Sequence, residues 1–470
     1  MSAITDLTLT GIADAIAGKR ISSREATEAC LARIGAWQPH LNAFIAIEPE
    51  TALAGADAAD AALASGQNFG PLHGVPLAHK DMFYDAGHIS TCGSKIRRDF
   101  APDTTSTALA RIKTAGTVRL GTLHMVEFAY GPTGHNAHFG DCHNPWNVAH
   151  VPGGSSSGSG AAVAARLTFA ALGSDTGGSV RMPAHFCGTT GLKTTVGRVS
   201  RAGAMPLSHS LDTIGFLTRT AEDAALLLAL TAGADDADPT TLGGPVPDYM
   251  AATRGTLAGL TIGIPSAFYV EDIDGETAQA LDATIATLTR VGAKVITITL
   301  PDQMQLSAAS QTLLAVEAAA IHLPWLKDRP DDYSSLVRAR LENGLAYSGV
   351  TYEQALRWRG PALQAHLAAV AGVDAILAPV CPTPAPTLAD TDVGGAPDAE
   401  AAIQVITRFT RPVNYLGLPS LVVPTGRTAS GLPIGMQFIG RPFAEDVLLR
   451  IGADFQRNTD FHLAAPELPA

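Results

Sequence analysis

Charge is scarce in this chain, and what there is leans acidic. Asp, Glu, Lys and Arg make up only 16% of the 470 residues, and 44 acids against 32 bases give a net charge of −12. An acidic balance argues against nucleic acid or an anionic membrane as partner, since both select basic patches. Cysteine is rare and unpaired: Cys30, Cys92, Cys142, Cys187 and Cys381 are scattered, odd in number and without a CxxC pair. That pattern suits small buried thiols in a reducing compartment and not a disulfide framework. The first twenty residues lack a basic segment followed by an apolar block, so no secretory signal is read. No run approaches the roughly 18 apolar residues of a membrane span; the best, Ala224 to Ala232, is too short. These shortages point to a cytoplasmic protein. What is abundant is hydrophobic residue, 46% of the chain, enough for a large core and too much for disorder.

Length alone would allow two or three domains, although large α/β enzymes exceed that prior as single units. Residues 7–40 are predicted helical, with Ser22 and Glu25 spaced as a capping box ahead of Ala26, Cys30, Leu31 and Ile34. An alanine-rich helix is expected over Thr51–Ser65, and others over Thr220–Thr231 (Thr220 and Asp223 as cap) and Thr277–Val291. Short β-like runs cover 75–79, 117–120, 260–264, 294–300, 375–377, 421–423 and 436–439. Strands alternating with helices predict an α/β sheet covered on both faces. No internal repeat and no Gly/Ser linker divides the chain. Residues Pro379 to Glu400 lack periodicity and mark either the border of a substrate entrance or a surface excursion.

The most informative stretch runs from Gly153 to Pro183: GGSSSGSGAAVAARLTFAALGSDTGGSVRMP. Two glycine-serine turns, joined by an alanine-rich stretch read as helical, set Ser155 and Ser179 24 positions apart. Glycine lets a bare backbone approach a substrate closely. Asp175-Thr176-Gly177-Gly178-Ser179 can present successive backbone N–H groups beside a hydroxyl, which is what a developing oxyanion next to its nucleophile requires.

From Gly153 through Ala184 this stretch resembles, without a gap, the signature of the amidase signature family. That family uses a Ser-cisSer-Lys triad, so the resemblance implies a lysine upstream at a strand end. Gly74-Val75-Pro76-Leu77-Ala78-His79-Lys80-Asp81 supplies it, although Met82 stands where the family's usual Lys-Asp-Asn has asparagine. Residues 125–131 (MVEFAYG), 191–193 (GLK), 210–212 (SLD) and 431–437 (GLPIGMQ) extend the likeness over nearly the whole chain. The resemblance implies a large mixed sheet wrapped by helices, with 1–470 as one domain and a helical segment at about 1–65 packed on it. It implies Ser179 as nucleophile and Ser155, after a cis peptide, as bridge to Lys80. Lys80 would accept the proton when neutral, its pKa lowered by burial near Val75, Leu77 and Ala78. The backbone N–H groups of Thr176, Gly177, Gly178 and Ser179 would hold the oxyanion, while Asp175 and Arg181 would brace the turn. No cofactor and no metal is expected.

Three rivals compete for the same residues. Gly154-Ser155-Ser156-Ser157-Gly158 fits G-x-S-x-G, with Ser156 as nucleophile, but that elbow needs a strand running into it and 150–153 is weak strand sequence. Lys193 is a rival base, read as structural. His135, His138 and His143 with Asp141 and Cys142 suggest zinc, but their spacing fits neither a zinc finger nor H-E-x-x-H. The family divides into freestanding amidases and the glutaminase subunit of the tRNA-dependent amidotransferase. That subunit has Gln after the nucleophile loop's Ser-Ile-Arg and Asp before the Glu of its Glu-Phe-Ala motif; Met182 and Val126 stand there in this chain. The expectation is a freestanding hydrolase of a small-molecule amide, a candidate homodimer, with the glutaminase subunit as alternative. Pocket residues outside the signature are not placed by the sequence.

Overall fold

The structure, a computed structural model, describes residues 4–468 and arranges their strands in two sheets. The smaller contains β1 (Phe44–Ile47), β2 (Pro76–Lys80) and β3 (Val118–Leu123), with β3 central, antiparallel to β1 and parallel to β2. The larger holds β4 (Ala171–Asp175), β5 (Thr190–Lys193), β6 (Thr213–Thr218), β7 (Thr261–Pro265), β8 (Lys294–Ile298), β9 (Ala375–Pro379), β10 (Ser420–Arg427) and β11 (Pro433–Ile439). Its order is β4-β6-β5-β10-β11-β9-β7-β8, antiparallel from β4 to β9 and parallel from β9 to β8. This is the mixed α/β sheet that the resemblance implied.

Between β2 and β4 side chains take the place of a ladder. Leu172 N–H donates to His79 Nδ1 at 3.2 Å, and Ala78 N–H donates to Thr168 Oγ1 at 3.2 Å. Burial pushes the His79 pKa down to about 3, which keeps Nδ1 free to accept. The ends of β2 and β4, where Lys80 and Asp175 lie, are thereby held side by side.

Helices cover both faces of the large sheet, as the alternation along its strands requires. Val422 pairs with Gln437 and Pro424 with Gly435, so these four share one face. Against that face lies the helix Arg181–Cys187, with His185 Cα only 3.3 Å from where a Cβ on Gly435 would sit. Leu421 and Val423 point the other way, and the helix Glu445–Arg457 packs there so closely that a Cβ on Gly452 would meet Leu421 Cδ2 at 2.5 Å.

Several predicted elements are longer, shorter or different. The run 7–40 is two helices, Leu9–Ala17 and Ser23–Leu41, broken where Lys19 takes φ 55. The Ser22–Glu25 capping box restarts the second, with Ser22 N–H donating to Glu25 Oε2 at 2.7 Å. Within the segment read as helical to residue 65 lies strand β1, and residues 1–3 of it fall outside the described ones. Thr220 caps the helix Ala221–Thr231 as expected, its Oγ1 accepting Asp223 N–H at 3.0 Å, while Asp223 Oδ1 accepts Thr10 N–H at 3.0 Å and ties the N-terminal helix to this one. The alanine-rich stretch between the two serines is a helix, Ser157–Ala164, followed by β4. Every residue of β4, β5 and β6 is buried, so these strands show no polar-apolar alternation to read in the sequence.

The helix Gln303–Asp328, and not the run at 224–232, is the best candidate span: among the described residues it alone contains an 18-residue window with the mean hydropathy, 1.2, of a membrane span. Isolated Gln, Ser, Glu and His break up the apolar run in the sequence, and 56% of that window is buried against the rest of the chain.

Gly158, in the first turn of the helix Ser157–Ala164, marks how tightly the serine turn is docked. Its N–H donates to His124 O at 2.9 Å, and a Cβ there would collide with Ala43 O and His124 N. Gly158→Ala is therefore expected to cost about 1–3 kcal/mol, the usual range for overpacking. Denaturant unfolding monitored by circular dichroism checks this; an unchanged midpoint would show that the contact is slack.

Candidate active site

Lys80 ends β2, buried to 1% exposure, and its Nζ donates to Ser155 Oγ at 2.8 Å and to Ser174 Oγ at 2.9 Å. Burial pushes its pKa down to about 7, against the opposing pull of Asp212 and Asp175. The neighbouring Asp81 is not its salt-bridge partner: that carboxylate accepts from Thr91 N–H at 2.9 Å and from Thr91 Oγ1. Ser174 was missed in the sequence, because its surroundings read as a loop and not as the end of a buried strand.

Ser155 is fully buried behind a cis peptide bond from Gly154. Gly153 and Gly154 are required by close approach. A Cβ on Gly153 would lie 2.7 Å from Pro183 N, and one on Gly154 2.9 Å from Gly131 O. Ser156 N–H donates to Ser179 O at 3.3 Å, which brings the two serine turns together. The Ser156 hydroxyl points the other way, donating to Ser174 O at 3.3 Å. No strand leads into residues 153–156, so the elbow geometry of the rival motif is missing. Lys193 donates to the carbonyls of Thr194 at 3.1 Å and Leu418 at 2.8 Å. It too is pushed down to about 7 by burial, yet it meets only backbone.

Asp175 shapes the second turn. Its carboxylate accepts from the N–H groups of Gly178 (2.9 Å), Val180 (3.2 Å) and Arg181 (3.4 Å), and from Asn414 Nδ2 (2.8 Å). Arg181 adds Nε and Nη2, both at 3.1 Å. Burial alone would raise the Asp175 pKa; the Arg181 charge and these donors outweigh it and hold the carboxyl well below its usual range. The Gly178 N–H, expected to face an oxyanion, is therefore turned inward to Asp175, a correction to the sequence reading. Thr176, Gly177 and Ser179 line a cavity, and among the described residues their N–H groups make no hydrogen bond to the protein.

That cavity has a volume of about 1160 Å³. Val126 and Met182 form part of its wall, as do residues 388–389 and 391–394 of the aperiodic segment, which thus borders the cavity. Gln311, Arg340 and Arg411 also line it and carried no motif that sequence reasoning could use. Glu127, of the 125–131 motif, is 1% exposed and joins three segments. It accepts from Ser94 Oγ (2.7 Å) and Ser334 N–H (2.9 Å), with His138 Nε2 at 2.9 Å. His135 Nδ1 lies 3.0 Å from Asp141 Oδ2, and His143 Nδ1 lies 2.7 Å from Val148 O. Burial pushes the Cys142 thiol up. Among the described residues no group of three or more His, Cys, Asp or Glu is arranged to hold a metal ion.

The arrangement supplies a lysine that is half neutral near pH 7, hydrogen-bonded to a buried hydroxyl, below a cavity with a second hydroxyl and free N–H donors. Lys80 is expected to titrate near pH 7 by NMR of lysine side chains labelled at Cε. Loss of one such resonance in Lys80→Met separates it from Lys193; a titration near the ordinary value of about 10.4 would contradict the burial argument.

Comparison with known proteins agrees with this geometry. The amidase family profile matches residues 25–449. A glutamyl-tRNA(Gln) amidotransferase subunit from Geobacter metallireducens is 40% identical, covering 97% of this chain and 98% of its own. Among solved structures, one belongs to a vestigial protein complex bearing on the evolutionary origins of an s-triazine catabolic enzyme. It superposes with TM-score 0.90 at 34% identity, over 99% of this chain and 100% of that one. The native peptide amidase of Stenotrophomonas maltophilia does so with TM-score 0.85 at 30% identity, over 98% of each. With its fold, its signature and nearly its whole length shared, the chain belongs to the amidase signature family of amide C–N hydrolases.

Proposed function

We propose that Ser179 is the nucleophile of a Ser-Ser-Lys relay that hydrolyses a linear amide through an acyl-enzyme. The observation that carries this reading is the 2.8 Å hydrogen bond between Ser155 and a lysine tuned by burial to about 7. As Ser179 Oγ attacks the carbonyl carbon, its proton passes to Ser155 and the Ser155 proton to neutral Lys80. The carbonyl oxygen becomes an oxyanion, held by the N–H groups of Thr176, Gly177 and Ser179. When the C–N bond breaks, the proton returns from Lys80 through Ser155 to the leaving nitrogen. Water then gives up a proton to the same relay, attacks the ester, and releases the carboxylate with Ser179 restored. Asp175 and Arg181 act by shaping the turn.

Two roles fit this chemistry, and different observations support each. Val126 and Met182, both on the cavity wall, favour a freestanding amidase with a less polar cleft than glutamine would need. The 40% identical amidotransferase subunit, matched over 97% of this chain, favours a glutaminase role in a larger complex. That likeness spans far more residues than two wall positions and weighs more heavily. Ammonia release by the purified chain alone separates them, using aliphatic, aromatic and urea-type amides and glutamine. Turnover of a non-glutamine amide would favour the freestanding role; activity confined to glutamine, or to none until partner subunits are added, would favour the other.

Ser179→Ala is expected to lower amide turnover by about 1,000-fold or more, and Ser155→Ala and Lys80→Met by similar, non-additive factors. Survival of activity in Ser179→Ala with its loss in Ser156→Ala would reverse the assignment. Because the ammonium form of Lys80 cannot accept a proton, kcat/KM is expected to fall about tenfold per unit below pH about 7. A pH profile flat from 5.5 to 8.5 would remove Lys80 from the relay.

A further inference from the structure

Two guanidinium groups face the cavity, and a single carboxylate of its wall, Glu400, lies beside them. Arg411 opens the helix Arg411–Leu416 and directly follows Thr410, whose Oγ1 donates to Gly177 O at 2.6 Å, so it borders the same space as Ser179. Its hydrogen bond goes to a neutral acceptor, Gln404 Oε1, at 2.8 Å, and its electrostatic neighbours are Arg340 and the phenols of Tyr130 and Tyr347, with no carboxylate among them. Burial, with the like charge of Arg340 beside it, pushes its pKa down to about 10. Arg340 Nη1 donates to Tyr130 O at 2.9 Å, and its carboxylate neighbour, Glu400, stands 3.9 Å away with a side chain 53% exposed.

The other acids of the cavity wall are engaged elsewhere. Glu127 accepts from Ser94 and Ser334 and meets His138. Asp141 accepts from Asn136 N–H and meets His135, while Asp392 accepts Gly394 N–H and is exposed. Arg411 is half-buried and has no carboxylate partner, and the planar fork of a guanidinium matches a carboxylate in two parallel hydrogen bonds. Val126, Met182 and Leu314 add apolar surface along which a short carbon chain could lie.

We propose that Arg411, backed by Arg340, forms an anion-binding subsite, and that the amide this enzyme cleaves carries a carboxylate. The proposal rests on the amide-hydrolase reading above and adds the class of substrate. Arg411 is a binding residue here, with no part in proton transfer.

Binding measured by titration calorimetry tests it without turnover. In Ser179→Ala protein, the monoamides succinamate, glutaramate and adipamate are compared with their near-isosteric neutral diamides. The best-fitting acid is expected to bind about 10- to 100-fold more tightly than its diamide, the worth of a charge-assisted pair. Arg411→Leu and Arg411→Gln are expected to remove most of that preference and Arg411→Lys to keep part of it. The dissociation constants of the neutral diamides report whether each variant is folded. Equal binding of acid and diamide across the series, or a preference that survives in both Arg411→Leu and Arg411→Gln, would overturn the proposal. Residual hydrolysis by Ser179→Ala would count against the nucleophile assignment alone. The comparison would then be repeated with succinate, glutarate and adipate, which contain no amide to cleave.

Discussion

A carboxylate buried beneath the cavity, Asp175, is the constraint on which the site depends. It lies at the end of β4 with no exposed surface, and three backbone N–H groups of the following turn converge on it. Arg181, one turn further on, closes the ring and reaches across to Asn414 and Gln437. Breaking such a buried pair by removing one partner commonly costs about 3–5 kcal/mol, because the other charge is left without compensation. The same convergence settles which N–H groups look outward: Gly178 is drawn in, and its neighbours are left facing the cavity.

Burial by itself does not distinguish the two lysines near this turn. Lys80 and Lys193 are equally withdrawn from water and pushed to the same value. What separates them is their partners. Lys193 meets two carbonyls, which can only accept, and so fastens β5 to the segment at Leu418. Lys80 meets two hydroxyls, which can both accept and donate, and a proton can move along such a chain. The packing that makes this possible is the side-chain junction between β2 and β4, where His79 and Thr168 stand in for ladder bonds.

Much of this was legible in the residues. Lys80, Ser155 and Ser179 could be named because glycine-serine turns at fixed spacing are rare, and the strands rich in β-branched residues announced themselves. β4 did not, since Ala-Leu-Gly-Ser-Asp has no alternation to betray a strand buried on both faces, and Ser174 was hidden with it. Gly178 was misjudged for a related reason. A sequence of glycines says that a backbone is free to turn, but not which way its N–H groups point once a buried acid pulls on them. The histidines at 135, 138 and 143 looked like a cluster in the sequence, yet they face three different partners.

The family, the α/β alternation and the three side chains proposed to react can be read from the residues in order, because they depend on local pattern and on motif spacing. The make-up of the cavity wall depends on long-range packing. The helix Ser335–Gly344, the aperiodic segment around 388–394 and the start of the helix Arg411–Leu416 lie far apart along the chain, and folding brings them to one cavity. Arg340 and Arg411 are ordinary residues in their own segments. They acquire chemical meaning only together, where two positive charges share one cavity wall and only Arg340 has a carboxylate, Glu400, beside it.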